Sequence, residues 1–131
     1  MERISALIVD TNEAILFLYK DLIESRNPRF DCFFVDSIEK TKKLIELRKF
    51  SILAINYKLS NFDCETGVTI AADFRNKNPD APVVILTSLV NDAKEEAKKI
   101  GITERILFIR KPISFDELSI ELEDFLGVVP W

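Results

Sequence analysis

Short apolar runs that alternate with stretches of helical periodicity constrain the fold of this chain more than any other feature. Of the five runs, the first, third and fourth are nearly continuous, which is typical of parallel strands covered on both faces. The second run is interrupted by Asp31 and Cys32, so it is predicted to be more exposed and to lie at an edge of the sheet. The predicted strands are Ile4–Val9, Phe30–Val35, Ser51–Ile55, Pro82–Leu86 and Arg105–Ile109.

A helix is predicted after each strand, because apolar residues recur there at helical spacing. Gly101 stands where the fourth helix would need a left-handed terminal residue. Ser114 and Glu117 have the spacing of a capping box, and Ile113 and Leu118 flank it at the staple positions. The alternation predicts a doubly wound α/β fold, with a five-stranded parallel sheet and helices on both faces. The predicted helices are one with an apolar stripe from Ile15 to Ile23, then Ile38–Arg48, Thr66–Lys77, Asp92–Ile100, and a fifth that begins after Ser114.

Composition narrows the classes of function. The chain has 131 residues, which fits a single domain over residues 1–131, and its net charge of -4 argues against nucleic-acid binding. There is no His, which removes the usual acid–base catalyst and the commonest transition-metal ligand. Cys32 and Cys64 lack CxxC spacing and suit a reducing compartment. No targeting segment and no apolar run of membrane-spanning length occurs, so we expect a soluble, cytoplasmic protein that binds no membrane.

Polar residues at the ends of the predicted strands are the candidate functional residues, because ligands of open α/β sheets bind beyond the carboxyl ends of the strands. Asp10 and Thr11 follow the first strand, and Asn56 follows the third. Thr87 follows the fourth strand, and Lys111 comes shortly after the fifth. No glycine-rich phosphate-binding motif occurs in these loops, which argues against a dinucleotide or nucleoside triphosphate site.

From Ile4 to Leu126, this arrangement resembles the receiver domain of two-component response regulators. Members carry an acidic pair after the first strand, a phospho-accepting Asp at the end of the third, a Thr or Ser after the fourth, and Lys-Pro after the fifth. The resemblance implies a flavodoxin-like strand order of 2-1-3-4-5, Phe108 as the switch aromatic, and a cis Lys111–Pro112 bond. The corresponding segments here are Leu7-Ile8-Val9-Asp10-Thr11, Ala54-Ile55-Asn56, Val84-Ile85-Leu86-Thr87-Ser88 and Phe108-Ile109-Arg110-Lys111-Pro112.

Two departures from the family pattern decide the predicted function. Thr11 stands at the second acidic position, and Asn56 stands at the position of the phospho-acceptor. A carboxamide is not a comparable nucleophile and cannot form an acyl phosphate. Asp10 then faces Lys111, and their formal charges sum to zero. Two opposite unit charges ~4 Å apart attract each other by ~4 kcal/mol in a partly screened site. Since Mg²⁺ prefers charged oxygen ligands, its binding is expected to be weak or absent, and no other cofactor is expected.

The predicted function is therefore that of a non-phosphorylatable pseudo-receiver, a signalling protein-interaction module without enzymatic activity. The partner is expected to be a protein, with a second copy of the chain as one candidate. It would bind the fourth helix, the fifth strand and the fifth helix, which receivers commonly use. One alternative is phosphorylation by a histidine kinase at a non-standard residue, and another is a small-molecule sensor using the neutralised pocket. Asp63 lies seven positions past Asn56, too far along the chain to replace it at the strand end. The residues of the degenerate phosphorylation pocket are Asp10, Thr11, Asn56, Thr87 and Lys111.

Structural interpretations stay open for several of these residues. Asp10 could be the N-cap of the first predicted helix, and Thr11 and Asn12 are interpreted as cap residues rather than ligands. Asn56 could serve only to hydrogen-bond neighbouring loop amides. Phe108 could be an ordinary core residue. The carboxyl-terminal segment Val128–Trp131 either packs on the domain or contacts a partner. The remaining charged cluster, interpreted as a solvated helix face, contains Glu95, Glu96, Lys98 and Lys99.

Overall fold

A computed structural model of the protein describes residues 4–12, 14, 16–17, 20–21, 30–59 and 65–126. Five parallel strands form one sheet with the order β2-β1-β3-β4-β5, which confirms the predicted fold and topology. The described part of β2 is only partly buried, as expected for a strand at the edge of the sheet. The strands are β1 (Ile4–Val9), β2 (Phe30–Val35), β3 (Ile52–Asn56), β4 (Val83–Thr87) and β5 (Ile106–Arg110).

The bounds of β1 and β2 are those predicted, whereas β3, β4 and β5 each begin and end one residue later. The difference has a simple cause, because backbone pairing continues through polar residues at which the apolar pattern stops. Asn56 is still paired with Leu86, and Thr87 with Arg110. The candidate site residues Asn56 and Thr87 are therefore the last residues of their strands.

Four complete helices are described: α1 (Ile38–Leu47), α2 (Gly67–Lys77), α3 (Val90–Ile100) and α4 (Phe115–Leu126). The predicted fourth and fifth helices thus correspond to α3 and α4, and α3 begins two residues earlier than predicted. Within the described ranges, no helix combines the length and apolar character needed to cross a membrane. Asp63, Cys64 and Val128–Trp131 lie outside the described residues. Between β1 and β2, the described residues in helical conformation are Ala14, Leu16, Phe17, Lys20 and Asp21.

The helix ends follow local sequence chemistry. Gly101 ends α3 in the left-handed conformation, with φ of 98°, as predicted. Of the capping box predicted before α4, one half is present: the Glu117 amide donates to the Ser114 hydroxyl at 3.2 Å. A full capping box precedes α2, where Thr66 and Thr69 each bond the other's backbone amide. Sequence analysis missed it because Thr, rather than Glu or Gln, occupies the third helical position.

The core has two parts, one on each face of the sheet, which explains why the central strands are nearly continuous apolar runs. On one face, α1, α2 and α3 cover the sheet around the fully buried Phe74. On the other face, Leu118 and Leu122 of α4 pack on the sheet together with Leu16. The alternate residues of each strand therefore belong to different halves of the core.

At the amino-terminal edge of the sheet, Arg75 fixes the loops that enter β4 and β5. Its guanidinium donates to the carbonyl oxygens of Ala81, Glu104 and Arg105 at 2.8, 2.9 and 2.6 Å. Burial, followed by the nearby charge of Arg105, lowers the pKa of Arg75 below its usual range. Three backbone acceptors for one planar cation is a geometry that Lys could not reproduce.

Candidate functional site

The strand-end residues converge at the carboxyl edge of the sheet. Asp10 directly follows β1, Asn56 ends β3, Thr87 ends β4 and Lys111 directly follows β5. The backbone amide of Lys111 donates to the carbonyl oxygen of Thr87 at 3.0 Å. This bond to the end of β4 positions the backbone of Lys111. The Lys111–Pro112 peptide bond is cis.

Lys111 connects the ends of β1 and β3. Its Nζ lies 3.0 Å from Asp10 Oδ2 and 2.8 Å from Asn56 Oδ1, so the predicted ion pair between Lys111 and Asp10 is present. The side chain of Asp10 is 3% exposed and that of Lys111 is 24% exposed. A carboxylate this deeply buried is tolerated when a cation and hydrogen-bond donors satisfy it, as they do here.

The second oxygen of Asp10 organises the following turn. Asp10 Oδ1 accepts from the Asn12 amide at 2.9 Å, while Asn12 Oδ1 accepts from the Ala14 amide at 2.9 Å. The Leu16 amide then donates to the carbonyl oxygen of Asn12 at 3.2 Å. The N-cap is therefore Asn12, and the alternative interpretation of Asp10 as the cap is wrong. Thr11, between them, is exposed.

The carboxamide of Asn56 has a fixed orientation. Its oxygen accepts from Lys111, and its nitrogen donates to the carbonyl oxygen of Lys58 at 2.6 Å. Gly67 approaches the backbone here so closely that a Cβ atom would lie 2.4 Å from the carbonyl oxygen of Asn56. The Gly67 amide also donates to the carbonyl oxygen of Tyr57 at 2.8 Å. Only glycine fits this junction between β3 and α2 without displacing backbone.

Thr87 and Phe108, the remaining two site residues, have separate surroundings. Thr87 is buried, and its hydroxyl accepts from the Leu89 amide at 2.9 Å, which fixes the turn into α3. Phe108 is half-buried in the middle of β5 and packs against the half of the core that α1, α2 and α3 cover. Lys94 Nζ lies 5.9 Å from the centre of its ring.

A second polar cluster, which we call the Glu96 cluster, contains Tyr57, Thr66 and Glu96. The Tyr57 hydroxyl donates to Glu96 Oε1 at 3.2 Å, and the Thr66 hydroxyl donates to Glu96 Oε2. Burial, and next the neighbouring charge of Glu96, raises the pKa of Tyr57 to about 12. The interpretation of Glu96 as part of a solvated face is therefore wrong, because its carboxylate joins α3 to the residues after β3. The available signal was Tyr57 itself, since a buried phenol needs a hydrogen-bond partner.

The chain thus has a doubly wound α/β fold with an acidic residue, an amide and a lysine at the carboxyl edge of its sheet, which places it in the class of receiver-type domains. The family model of the response regulator receiver domain matches residues 6–123. The chain belongs to this family and is a receiver domain of a two-component system. No sequence among the curated proteins matches the chain.

Solved structures agree with the assignment of the fold. A two-component response regulator from Clostridium difficile is 19% identical, with a TM-score of 0.76 over 95% of this chain and 97% of the other. The signal receiver domain of an HD domain-containing protein from Pseudomonas fluorescens is 22% identical, with a TM-score of 0.77 over 97% and 89%. The receiver domain of a sensor histidine kinase from Pseudomonas aeruginosa, solved with magnesium in its active site cleft, is 16% identical, with a TM-score of 0.72 over 95% and 98%. At these identities the likeness establishes the fold.

Proposed function

We propose that this receiver domain is a pseudo-receiver, which accepts no phosphoryl group at the end of β3 and acts as a protein-interaction module. The observation that carries the proposal is the contact of Lys111 with both Asp10 and Asn56, at 3.0 and 2.8 Å. An amide at the end of β3 supplies no nucleophile for acyl phosphate formation. The ammonium already contacts Asp10, the carboxylate that the described residues place at this site.

The same contacts argue that the site binds Mg²⁺ weakly or not at all. Mg²⁺ requires near-octahedral oxygen coordination and is usually held by carboxylates. Among the described residues, no three acidic or sulfur side chains are grouped so that they could hold a metal ion. Asp10 offers one carboxylate, and that carboxylate already contacts an ammonium, so a divalent cation would meet repulsion from Lys111.

Intact-mass measurement tests the loss of phosphorylation directly. Incubation of the protein with acetyl phosphate and Mg²⁺ is expected to add no phosphoryl group to its mass. A phosphoryl group found on any aspartate would overturn the proposal. Labelling that depends on Mg²⁺ and survives Asn56→Ala would favour the alternative of phosphorylation at a non-standard residue.

A gain-of-function experiment tests the proposed reason for weak Mg²⁺ binding. The double variant Thr11→Asp with Asn56→Asp supplies two further carboxylates beside Asp10. We expect this double variant to gain Mg²⁺ affinity, measured by calorimetric titration, whereas either single variant gains little. If the wild type itself binds Mg²⁺ as tightly as the double variant does, the argument from charge is wrong.

We further propose that the protein partner binds the face formed by α3, β5 and α4. Ile120 on α4 is 58% exposed, so this face presents a large apolar side chain to a partner. Phe108 and Arg110 on β5 lie on the same part of the molecule, half-buried and exposed respectively. The Glu96 cluster helps to hold α3 in place on this face, because Tyr57 and Thr66 donate hydrogen bonds to Glu96. Exposed carboxylates beside Ile120 are Asp116, Glu117, Glu121 and Asp124.

Matched variants test the binding face. Ile120→Glu is expected to abolish co-purification of the protein partner from the native cell. Leu47→Glu, which alters an apolar side chain that is 79% exposed on α1, is expected to leave co-purification unchanged. Sedimentation velocity of the same proteins decides whether the partner is a second copy of the chain. Equal losses in both variants would remove the assignment to this face.

A further inference from the structure

Lys111, Asn56 and Asp10 bring together an amine, a carboxamide and a buried carboxylate. Lys111 Nζ lies 2.8 Å from Asn56 Oδ1. A carbonyl bond is about 1.23 Å long, so Nζ is no more than about 4 Å from the carbonyl carbon of that carboxamide. An amine at this distance from an acyl carbon, beside a group that can take its proton, has the components of an acyl transfer reaction.

We propose that Lys111 and Asn56 form an intramolecular isopeptide bond, with Asp10 as the proton acceptor. Asp10 Oδ2, 3.0 Å from Nζ, takes a proton from the ammonium and leaves a lone pair on Nζ. Nζ attacks Asn56 Cγ and a C–N bond forms. The bond from Cγ to Nδ2 then breaks, and Nδ2 leaves as ammonia, which takes up the remaining protons as ammonium. One ammonium and one amide become a new amide and a free ammonium, so atoms and charge balance without a co-reactant.

The orientation of Asn56 favours this reaction. Its nitrogen donates to the carbonyl oxygen of Lys58 at 2.6 Å, so the carbonyl group points toward Lys111 and the leaving nitrogen points away from it. The usual competing nucleophile is the next backbone nitrogen, here that of Tyr57, which would give a succinimide. That nitrogen donates to the carbonyl oxygen of Leu86 at 3.0 Å and is held by the sheet. The lysine amine is therefore the better placed nucleophile.

The bond would covalently join the ends of β3 and β5. Its two residues are 55 positions apart in the chain, so the bond would close a long loop. Closing a loop of this length restricts the unfolded chain much as a disulfide does, and this raises stability. We expect the linked protein to melt at a higher temperature than the Asn56→Ala variant. In the linked form Asp10 lacks the ammonium of Lys111, which opposes part of this gain. The inference is independent of the loss of phosphorylation, because Asn56 accepts no phosphoryl group in either form. The argument against Mg²⁺ applies to the unlinked form, in which Lys111 is charged.

Intact-mass measurement of the full chain under denaturing conditions tests the proposal. After incubation at neutral pH, the wild-type mass is expected to be lower than the sequence mass by one ammonia. Protease digestion is expected to give one covalently joined pair of peptides, containing Asn56 and Lys111. Lys111→Arg, which keeps the cation but not the nucleophile, and Asn56→Ala are both expected to keep their full sequence mass. Asp10→Asn is expected to form the bond slower by on the order of a hundredfold.

Three results would overturn the proposal. A wild-type chain that keeps its full mass after prolonged incubation has formed no bond, and this result needs no variant to fold. Loss of ammonia that persists in Lys111→Arg, with cleavage of the chain by hydroxylamine, would identify a succinimide at Asn56 instead. An Asp10→Asn variant that reacts as fast as the wild type would remove the assigned role of Asp10.

Discussion

Asn56 and Tyr57 are adjacent at the carboxyl end of β3, yet they enter two polar clusters of opposite construction. Asn56 helps to hold a cation, since Lys111 contacts the amide of Asn56 and the carboxylate of Asp10. Tyr57 helps to hold an anion, since the carboxylate of Glu96 accepts from two hydroxyl groups. The first cluster links the ends of three strands, whereas the Glu96 cluster links the end of one strand to two helices.

The two clusters differ in how deeply their carboxylates are buried, and this difference determines how much each cluster contributes to stability. The cluster of Lys111, Asn56 and Asp10, which we call the cation cluster, contains a carboxylate that is almost fully buried and depends on its counter-ion. In the Glu96 cluster the carboxylate is only partly buried, so water can replace part of a lost hydrogen bond. We therefore expect the cation cluster to contribute more stability per side chain.

Removal of the cation should give the largest effect. Lys111→Met leaves the carboxylate of Asp10 buried without its counter-ion, and we expect the free energy of unfolding to fall by about 2–3 kcal/mol. This loss is below the range of about 3–5 kcal/mol for a fully buried pair, because Lys111 is partly exposed. Urea denaturation measures the change, and the Asn56→Ala background isolates the ion pair from any covalent link. Lys98→Met, at an exposed position on α3, serves as the control. Equal effects at both positions would contradict the comparison.

A methyl group at the junction of the two clusters should have the next largest effect. In Gly67→Ala the new Cβ would lie 2.4 Å from the carbonyl oxygen of Asn56, and the backbone must shift. We expect a loss of about 2 kcal/mol in thermal or chemical unfolding. Gly101→Ala, which has space but a φ of 98°, should lose only about 1 kcal/mol. A neutral effect of Gly67→Ala would show that the junction is looser than the structure indicates.

Alkaline pH should weaken the Glu96 cluster selectively. The pKa of Tyr57 is about 12 in the folded protein, above the usual value of 10.0 for a tyrosine. A raised pKa contributes stability that is fully present below pH 10 and is lost as the pH rises toward 12, because the unfolded chain ionises first. We expect this loss to approach about 2 kcal/mol. The Tyr57→Phe variant has no phenol at this position to ionise and does not show this loss. The difference in unfolding free energy between the wild type and Tyr57→Phe should therefore decrease from pH 10 to 12. A constant difference would contradict the assignment.

Loss of the charge of Glu96 should give the smallest effect. Glu96→Gln keeps the size of the side chain but replaces one acceptor oxygen with a donor, so one hydroxyl loses its partner. We expect a loss of about 1 kcal/mol in chemical denaturation. The neighbouring Glu95 is exposed, and Glu95→Gln should change stability by less than about 0.5 kcal/mol. A Glu96→Gln effect as small as that of Glu95→Gln would mean that the cluster holds α3 only weakly.

Much of the fold was predictable because burial and strand termination leave local marks in the sequence. Nearly continuous apolar runs identified the covered strands, and the interrupted run identified the edge strand β2. The ends of three strands were misplaced by one residue, since polar Asn56 and Thr87 hide the last backbone pairing from a pattern based on hydrophobicity. Before the helical residues that follow β1, the sequence left the N-cap open between Asp10 and its neighbours Thr11 and Asn12. The bond from the Ala14 amide to Asn12 Oδ1 decided it.

By itself, the sequence determined the layered α/β fold, the strand-end position of the site and the pairing of Asp10 with Lys111, because each depends on periodicity or on which residue ends a strand. Only the tertiary structure decided that Lys111 also contacts Asn56, that Glu96 holds Tyr57, and that Gly67 touches the backbone of Asn56. These contacts join residues far apart in the chain, such as the 39 positions between Tyr57 and Glu96. The distances between these residues depend on how the helices pack against the sheet, which is a property of the whole core and not of any local segment.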